Sequence, residues 1–146
     1  MPASLENQRV TGTVTPAQIT STATGGLGET VKGFPILPPV GVGFVPELIS
    51  CHLSYQFSVA AYSAGGAVHV DLDNATGDQQ SEAVDGEQLL GGAASASVML
   101  RPLPQTNGTP TVGNSGLNLA ADAAFTNPGT AAGYLKYDLI YRVRAL

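Results

Sequence analysis

Apolar and polar residues alternate most clearly over residues 133–146, GYLKYDLIYRVRAL. Leu135, Tyr137, Leu139, Tyr141 and Val143 share one parity; Lys136, Asp138, Arg142 and Arg144 share the other. A period of two predicts a half-buried strand with a dry odd face and a charged even face. At ~3.3 Å per residue, about eleven residues of such a run reach roughly 36 Å, enough to cross a small domain. A second run of this kind is ELISCHLSYQFSVAAYS, residues 47–63. Its odd positions Ile49, Cys51, Leu53, Tyr55, Phe57, Val59 and Ala61 face one side, and Ser50, His52, Ser54, Gln56 and Ser58 the other. The two long strands either pair or face each other from opposite sheets. The SAGG stretch at 63–66 predicts a turn. Residues 67–72 then return with Val68, Val70 and Leu72 inward and His69 and Asp71 outward, so 48–72 reads as a hairpin.

The remaining pattern is shorter and more broken. Residues 1–29 are rich in Thr, Ser, Gln and Gly, with sparse apolar positions at Leu5, Val10, Val14 and Ile19. Val10, Gly12 and Val14 alternate with Thr11, Thr13 and Thr15, which predicts an edge strand stopped by Pro16. This segment holds too little apolar surface to fold alone and reads as an extended arm, jointed at the GGLG of 25–28. It either frays or is ordered on another subunit. Its β-branched residues favour the second fate, by addition to a sheet edge. Residues 31–39 are extended and lead into a Pro-rich bend at which Gly41 and Gly43 let the chain turn. Residues 73–92 predict an acidic loop around a short strand near 83–90. Residues 93–103 predict a strand with Val98 and Leu100 inward and Met99 and Arg101 outward, ended by Pro102 and Pro104. After a surface loop at 105–116 come a short strand at Leu117 and Leu119, and then Phe125, just before a turn that feeds the closing strand. About eight strands and no helix make this an all-β, antiparallel β-sandwich or jelly roll over 30–146, with the N-terminal arm over 1–29.

Composition agrees with that class. Gly 18 and Pro 10 in 146 residues punctuate the chain into strands and turns. An apolar content of 43% with a net charge of −5 argues against disorder. Six dispersed Lys and Arg residues do not form the basic cluster that nucleic acid or an anionic membrane needs. The start, MPASLENQRV, lacks the basic and apolar regions of a signal peptide, and the most apolar window, 34–46, is too short and broken to span a bilayer. The single Cys51 rules out an internal disulfide and reads as an inert buried thiol.

Chemistry-bearing patterns are few. His69, Asp71 and Asp73 fall on one face of one strand and invite a hard cation. The span from Asp71 to Glu82 has the length of an EF-hand loop, but Thr76 stands where that loop needs Gly and no helices flank it. The face reads instead as solvated. His52 and His69 have Ser and Asp neighbours, as chance supplies in a Ser-rich chain, and no G-x-S-x-G elbow occurs. Nothing marks a glycosidase-type carboxylate pair, and the Gly clusters lack the strand–turn–helix setting of a dinucleotide site. Asn74 and Asn107 match the glycosylation pattern, which carries no meaning without secretion. The expectation is no enzyme, no cofactor and no metal.

The order of features nevertheless resembles a known group. A polar arm, a Pro/Gly bend and a long amphipathic strand precede YSAGGAVHVDL. An acidic loop, a strand ending in Pro, SGLNLAADAAFTNPGTAAG and YLKYDLIYRVRAL follow. This order resembles the small jelly-roll decoration (cement) and head-fibre-type structural proteins of tailed bacteriophage virions. The resemblance implies a homotrimer on the outer capsid surface, made in the host cytoplasm, with the major capsid protein as partner, no nucleic acid or membrane partner, and no catalytic residues. On that reading Val10, Val14 and Ile19 would carry the arm's reach to a neighbour. Arg142 and Arg144 would pair with acids such as Asp71 across subunits. The alternative is a receptor- or glycan-binding knob of a phage fibre or tail, with 73–92 and 105–116 as recognition loops. An unrelated intracellular scaffold is a third reading.

Overall fold

β-Branched and aromatic residues in alternation build nearly all of the regular structure. The computed structural model describes residues 6–29, 31–73, 77–104, 114–129 and 132–145. Among these, the strands are β1 (Gln8–Val14), β2 (Phe34–Leu37), β3 (Phe44–Gln56), β4 (Ser63–Ala64), β5 (Val68–Leu72), β6 (Ala96–Leu100), β7 (Leu117–Ala121), β8 (Phe125–Thr126) and β9 (Tyr134–Ala145). Two helices of little more than one turn are α1 (Pro16–Thr20) and α2 (Gly86–Leu90). Neither is long or apolar enough to cross a membrane. The order β1-β9-β3-β6 makes a four-stranded antiparallel sheet and β2-β7-β5 a three-stranded one, with β4-β8 a separate pair. The fold is therefore the expected antiparallel β-sandwich. Its core lies between Leu135 and Leu139 of β9 with Cys51, Leu53 and Tyr55 of β3 on one side, and Val68, Val70, Leu117 and Leu119 of β5 and β7 on the other.

The two long strands pair with each other, from Phe44 opposite Ala145 to Gln56 opposite Tyr134. A bulge between Leu48 and Ser50 inserts Ile49 and reverses the phase of β3. Before it, Pro46 and Leu48 are buried; after it, Cys51, Leu53 and Tyr55 are. Ile49, expected inward, is only half-buried. The strand ends at Gln56, and Val59, also expected inward, is 77% exposed. The expected 48–72 hairpin does not form, because β3 already has β9 on one edge and β6 on the other. Residues 57–67 instead cross to the second sheet, where β5 can turn its apolar triplet onto the same core. Tyr62 anchors the crossing, its buried hydroxyl donating to the Gly133 carbonyl at 2.6 Å.

Residues 78–84 join the two sheets. The Val68 and Val84 amides and carbonyls bond reciprocally at 2.8 and 2.9 Å, and Gln80 N–H donates to Val70 O at 2.8 Å. On the other side Glu82 N–H donates to Arg101 O and Leu103 N–H to Gln80 O. The strand expected near 83–90 is thus this earlier rung, followed by α2. Asp85 starts that helix by accepting from Glu87 N–H at 2.9 Å.

Residues 6–29 do not form an extended arm, and residues 1–5, with Leu5, lie outside the described residues. β1 pairs along its whole length with β9, from Gln8 opposite Tyr141 to Val14 opposite Leu135. Gly12 lies under the Tyr137 ring, at a place where any Cβ would collide with it. Thr15 and Gln18 form a reciprocal capping box around Pro16, which starts α1. The helix delivers Ile19 to the core, and the following turn delivers Leu27; both are fully buried. Described residues 6–29 therefore belong to the sandwich, and the boundary expected at residue 30 falls inside one core.

Candidate functional site

Of the residues expected to reach a partner, Val14 and Ile19 have no exposed surface, and Val10 packs against the core from its place opposite Leu139. Their apolar surface is consumed within the chain. Arg142 and Arg144 lie together at the far end of β9, opposite Glu47 and Val45 of β3. Arg144 Nε donates to Glu47 Oε2 at 2.8 Å, while Arg142 Nε stands 4.0 Å from the same oxygen. That Arg142 Nε is buried without a hydrogen-bond partner, as are the Tyr55 hydroxyl and Asn118 Oδ1, although the Arg142 side chain as a whole is 38% exposed. The expected pairing of these arginines with Asp71 has no basis in the fold, because Asp71 is buried in the other sheet.

Beside this charge cluster lies an open groove of about 480 Å³. It exists because β6 stops at Leu100, opposite Cys51, while β3 runs on to Phe44. Val45, Pro46 and Leu48 on one side and Pro102 and Leu103 on the other give it apolar walls, and Glu47 and Arg144 rim it. A second, shallower hollow of about 310 Å³ lies on the outer face of the same sheet, among Thr11, Thr13, His52, Lys136 and Asp138. There the Asp138 carboxyl is held below the usual carboxylate range, first by hydrogen bonds from Arg9 at 2.6 and 2.8 Å and further by the charges of Arg9 and His52.

The alternation of β5 does point His69 and Asp71 away from the core, but the face they share is not solvated. His69 is 7% exposed and Asp71 6%. Neighbouring Asn118 and Ala120 of β7 are equally buried, and the Gly77 backbone comes close to Asp71. His69 Nδ1 lies 2.6 Å from Asp71 Oδ1, and its Nε2 lies 2.9 Å from Asp122 Oδ1. Burial disfavours the imidazolium, but the hydrogen bonds and charges of the two carboxylates outweigh it and raise the His69 pKa. Asp73 takes a different partner set: Lys32 Nζ at 3.5 Å and Asn118 Nδ2 at 3.4 Å. The lysine already supplies the positive charge there, and among the described residues no three His, Cys, Asp or Glu side chains converge as metal ligands. The H-x-D spacing made two members of the buried cluster visible in the sequence. Asp122 gave no signal, since only the pairing of β5 with β7 brings it near. Cys51 is fully buried, and burial, with a smaller effect from the Asp138 charge, pushes its thiol up to about 12. The sequons at Asn74 and Asn107, and most of the loop expected at 105–116, lie outside the described residues.

Comparison with protein-family models, with curated proteins and with solved structures returns no match.

Proposed function

We propose that the chain is a virion structural protein that decorates the outer capsid surface, as a homotrimer bound to the major capsid protein, and stabilises the shell. The observation that carries this reading is strand order. Counting β1, β2, β3, β5, the 78–84 rung, β6, β7 and β9 as strands 1 to 8, one sheet runs 1-8-3-6 and the other 2-7-4-5. Counted this way, the order supports a reading as two Greek keys wound into a jelly roll, an architecture common in capsid proteins. It agrees with the resemblance in the order of sequence features. Fold alone does not specify function, so the reading also rests on a surface. A cement protein acts by burying area across shell junctions, of the order of 1,200–2,000 Å² for a stable contact. The groove walled by Val45, Leu48 and Leu103, with Arg142 beside it holding an unmet buried donor, is the surface that a shell-protein acceptor would complete. This surface takes over the role first assigned to the N-terminal segment.

A second reading, the receptor- or glycan-binding knob, draws on the polar hollow of Thr11, Thr13, His52, Lys136 and Asp138, whose hydroxyl and charged groups suit a sugar. The deciding experiment mixes purified protein with empty heads of a tailed phage and measures co-sedimentation, with light scattering for mass. Saturable binding in many copies, a trimer mass and weakening by Arg142→Glu support decoration. A monomer that ignores heads overturns it, and glycan-array binding by the same sample selects the knob.

A further inference from the structure

The imidazole of His69 is held between carboxylates from separate parts of the fold. Asp71 sits two residues along the same strand, whereas Asp122 follows β7 in the turn that leads to β8. Both ring nitrogens face carboxylate oxygens, at 2.6 and 2.9 Å. Ionised carboxylates only accept hydrogen bonds, and only the doubly protonated ring donates from both nitrogens. We propose that His69, Asp71 and Asp122 form a proton-operated latch, which fastens the β7–β8 turn to β5 and releases it when the imidazole loses its proton.

Burial decides which bond opens. The Asp71 side chain is 8% exposed, so water cannot readily replace the ring as its partner. It keeps the Nδ1–H. The neutral ring then presents the Nε2 lone pair to Asp122 Oδ1, and acceptor faces acceptor. The Asp122 side chain is 65% exposed and can turn to water. What it releases is the turn itself. Asp122 N–H donates to Ala67 O at 3.0 Å and Gly66 N–H to Ala123 O at 3.1 Å. The turn leads into Phe125, which is buried, meets Tyr62 edge-on and lies against Gly65 and Gly86. The latch thus holds in place the strand that carries this aromatic wedge.

The charges acting on the ring are Asp71 from β5 and Asp122 from the β7–β8 turn. Across the ladder, β7 places the uncharged Ala120 opposite His69. The 78–84 rung places Gln79 opposite Asp71, with Asp78 next to it in the chain and Glu82 three residues on. Asp73 at the end of β5 is taken by Lys32 and Asn118. Because the carboxylates hold the proton above the ordinary imidazole range, the latch is closed at and below the ordinary value and opens as pH rises through the raised one.

The test follows the His69 ring by NMR from about pH 5 to about pH 10, alongside exchange of the Gly66 and Asp122 amides corrected for intrinsic rates. Protection of these two amides is expected to fall by roughly three- to tenfold, the size of one partly exposed charged hydrogen bond, in step with the His69 titration. In Asp122→Asn the ring titrates at lower pH and the step in protection disappears. A ring that titrates at or below the ordinary imidazole value, or protection that stays flat across its titration, overturns the latch. Both readings come from the unaltered protein, so they decide the matter even if the variant does not fold.

Discussion

Removing residues 1–28 is expected to unfold the protein, and the reason is quantitative. The cut takes away the whole β1 strand and with it every register pair from Gln8–Tyr141 to Val14–Leu135. It also takes Val14, Ile19 and Leu27, each with 0% exposure. Burial of one such side chain stabilises by ~1.5–3 kcal/mol, so the three together contribute roughly 5–9 kcal/mol. That compares with a total stability of about 5–15 kcal/mol for an ordinary domain. The truncation further strips one edge from β9, whose Leu135 and Leu139 lie at the centre of the core. A milder form of the same perturbation is Ile19→Ala, which leaves α1 and its capping box in place and is expected to cost about 2–5 kcal/mol through lost transfer energy and the cavity left behind. The assay is urea unfolding followed by far-UV circular dichroism. With a slope of about 2 kcal/mol per molar, Ile19→Ala should lower the midpoint by roughly 1–2.5 M without altering the slope. A 29–146 chain that stays soluble, unfolds cooperatively and keeps the full-length midpoint would refute the reasoning. It would show that the N-terminal segment lies on the sandwich without sustaining it.

Further expectations follow from single sites. His69 has its folded-state pKa raised, so its contribution to stability is fully present below the unfolded value of about 6.5 and is lost as pH rises through the folded value. The urea midpoint should therefore decline on the alkaline side, and His69→Gln should remove that part of the decline. Cys51, with its thiol pushed up to about 12 by burial, should react with a disulfide reagent at neutral pH only at the rate of unfolding; fast labelling of the native protein would contradict its placement. Gly12→Val should destabilise by about 1–3 kcal/mol, because a Cβ there meets the Tyr137 ring, and a calorimetric scan should register the loss.

The parts of the fold legible in the sequence are those in which a residue's burial depends only on strand parity. Leu135 and Leu139 on β9, Val68, Val70 and Leu72 on β5, and Leu100 on β6 are all buried as their alternation predicts. Parity fails where a partner strand sets the phase. Ile49 carries the same local pattern as Leu53, and only the pairing with β9 makes it the extra residue of a bulge. It fails again at 57–67, since alternation cannot say which sheet a strand will join. The start of α1, by contrast, is written in the sequence. Thr15-Pro16-Ala17-Gln18 is a capping-box sequence with proline at the first helical position, and it marks a helix start after the Thr-rich strand. Residues 86–90 are too few for helical periodicity to register, although Asp85 is a legible cap. Alternation points His69 and Asp71 away from the core, yet both are buried. Facing away from the core means exposure only when nothing covers the outer face, and here Asn118 and Ala120 of β7, Gly77 and Asp122 wall it in.

The distribution of polar bonds narrows where a partner can engage the chain. Glu29 accepts the amides of Val31, Lys32 and Gly33; Ser81 Oγ accepts from Val70 N–H and donates to Glu82 O; Asp71 and Asp122 close on His69. These clusters are complete within the fold, and groups already satisfied have little to gain from a ligand. The end of the four-stranded sheet differs. There β3 outruns β6, the edge past Cys51 borders an apolar-walled groove, and Arg142 Nε is buried without an acceptor beside a Glu47 carboxylate engaged by Arg144. A fully buried unmet donor costs about 1–3 kcal/mol; with its side chain 38% exposed and Glu47 Oε2 at 4.0 Å, Arg142 recovers less than that from a partner's acceptor, alongside the apolar burial of the groove. On the proposed decoration reading, the balance favours contact at this end over contact through the N-terminal segment. It also separates two variants that remove one charge each: Arg142→Met should weaken partner binding while leaving the isolated fold as stable or more so, whereas Glu47→Ala frees Arg144 and should alter binding chiefly through its salt dependence.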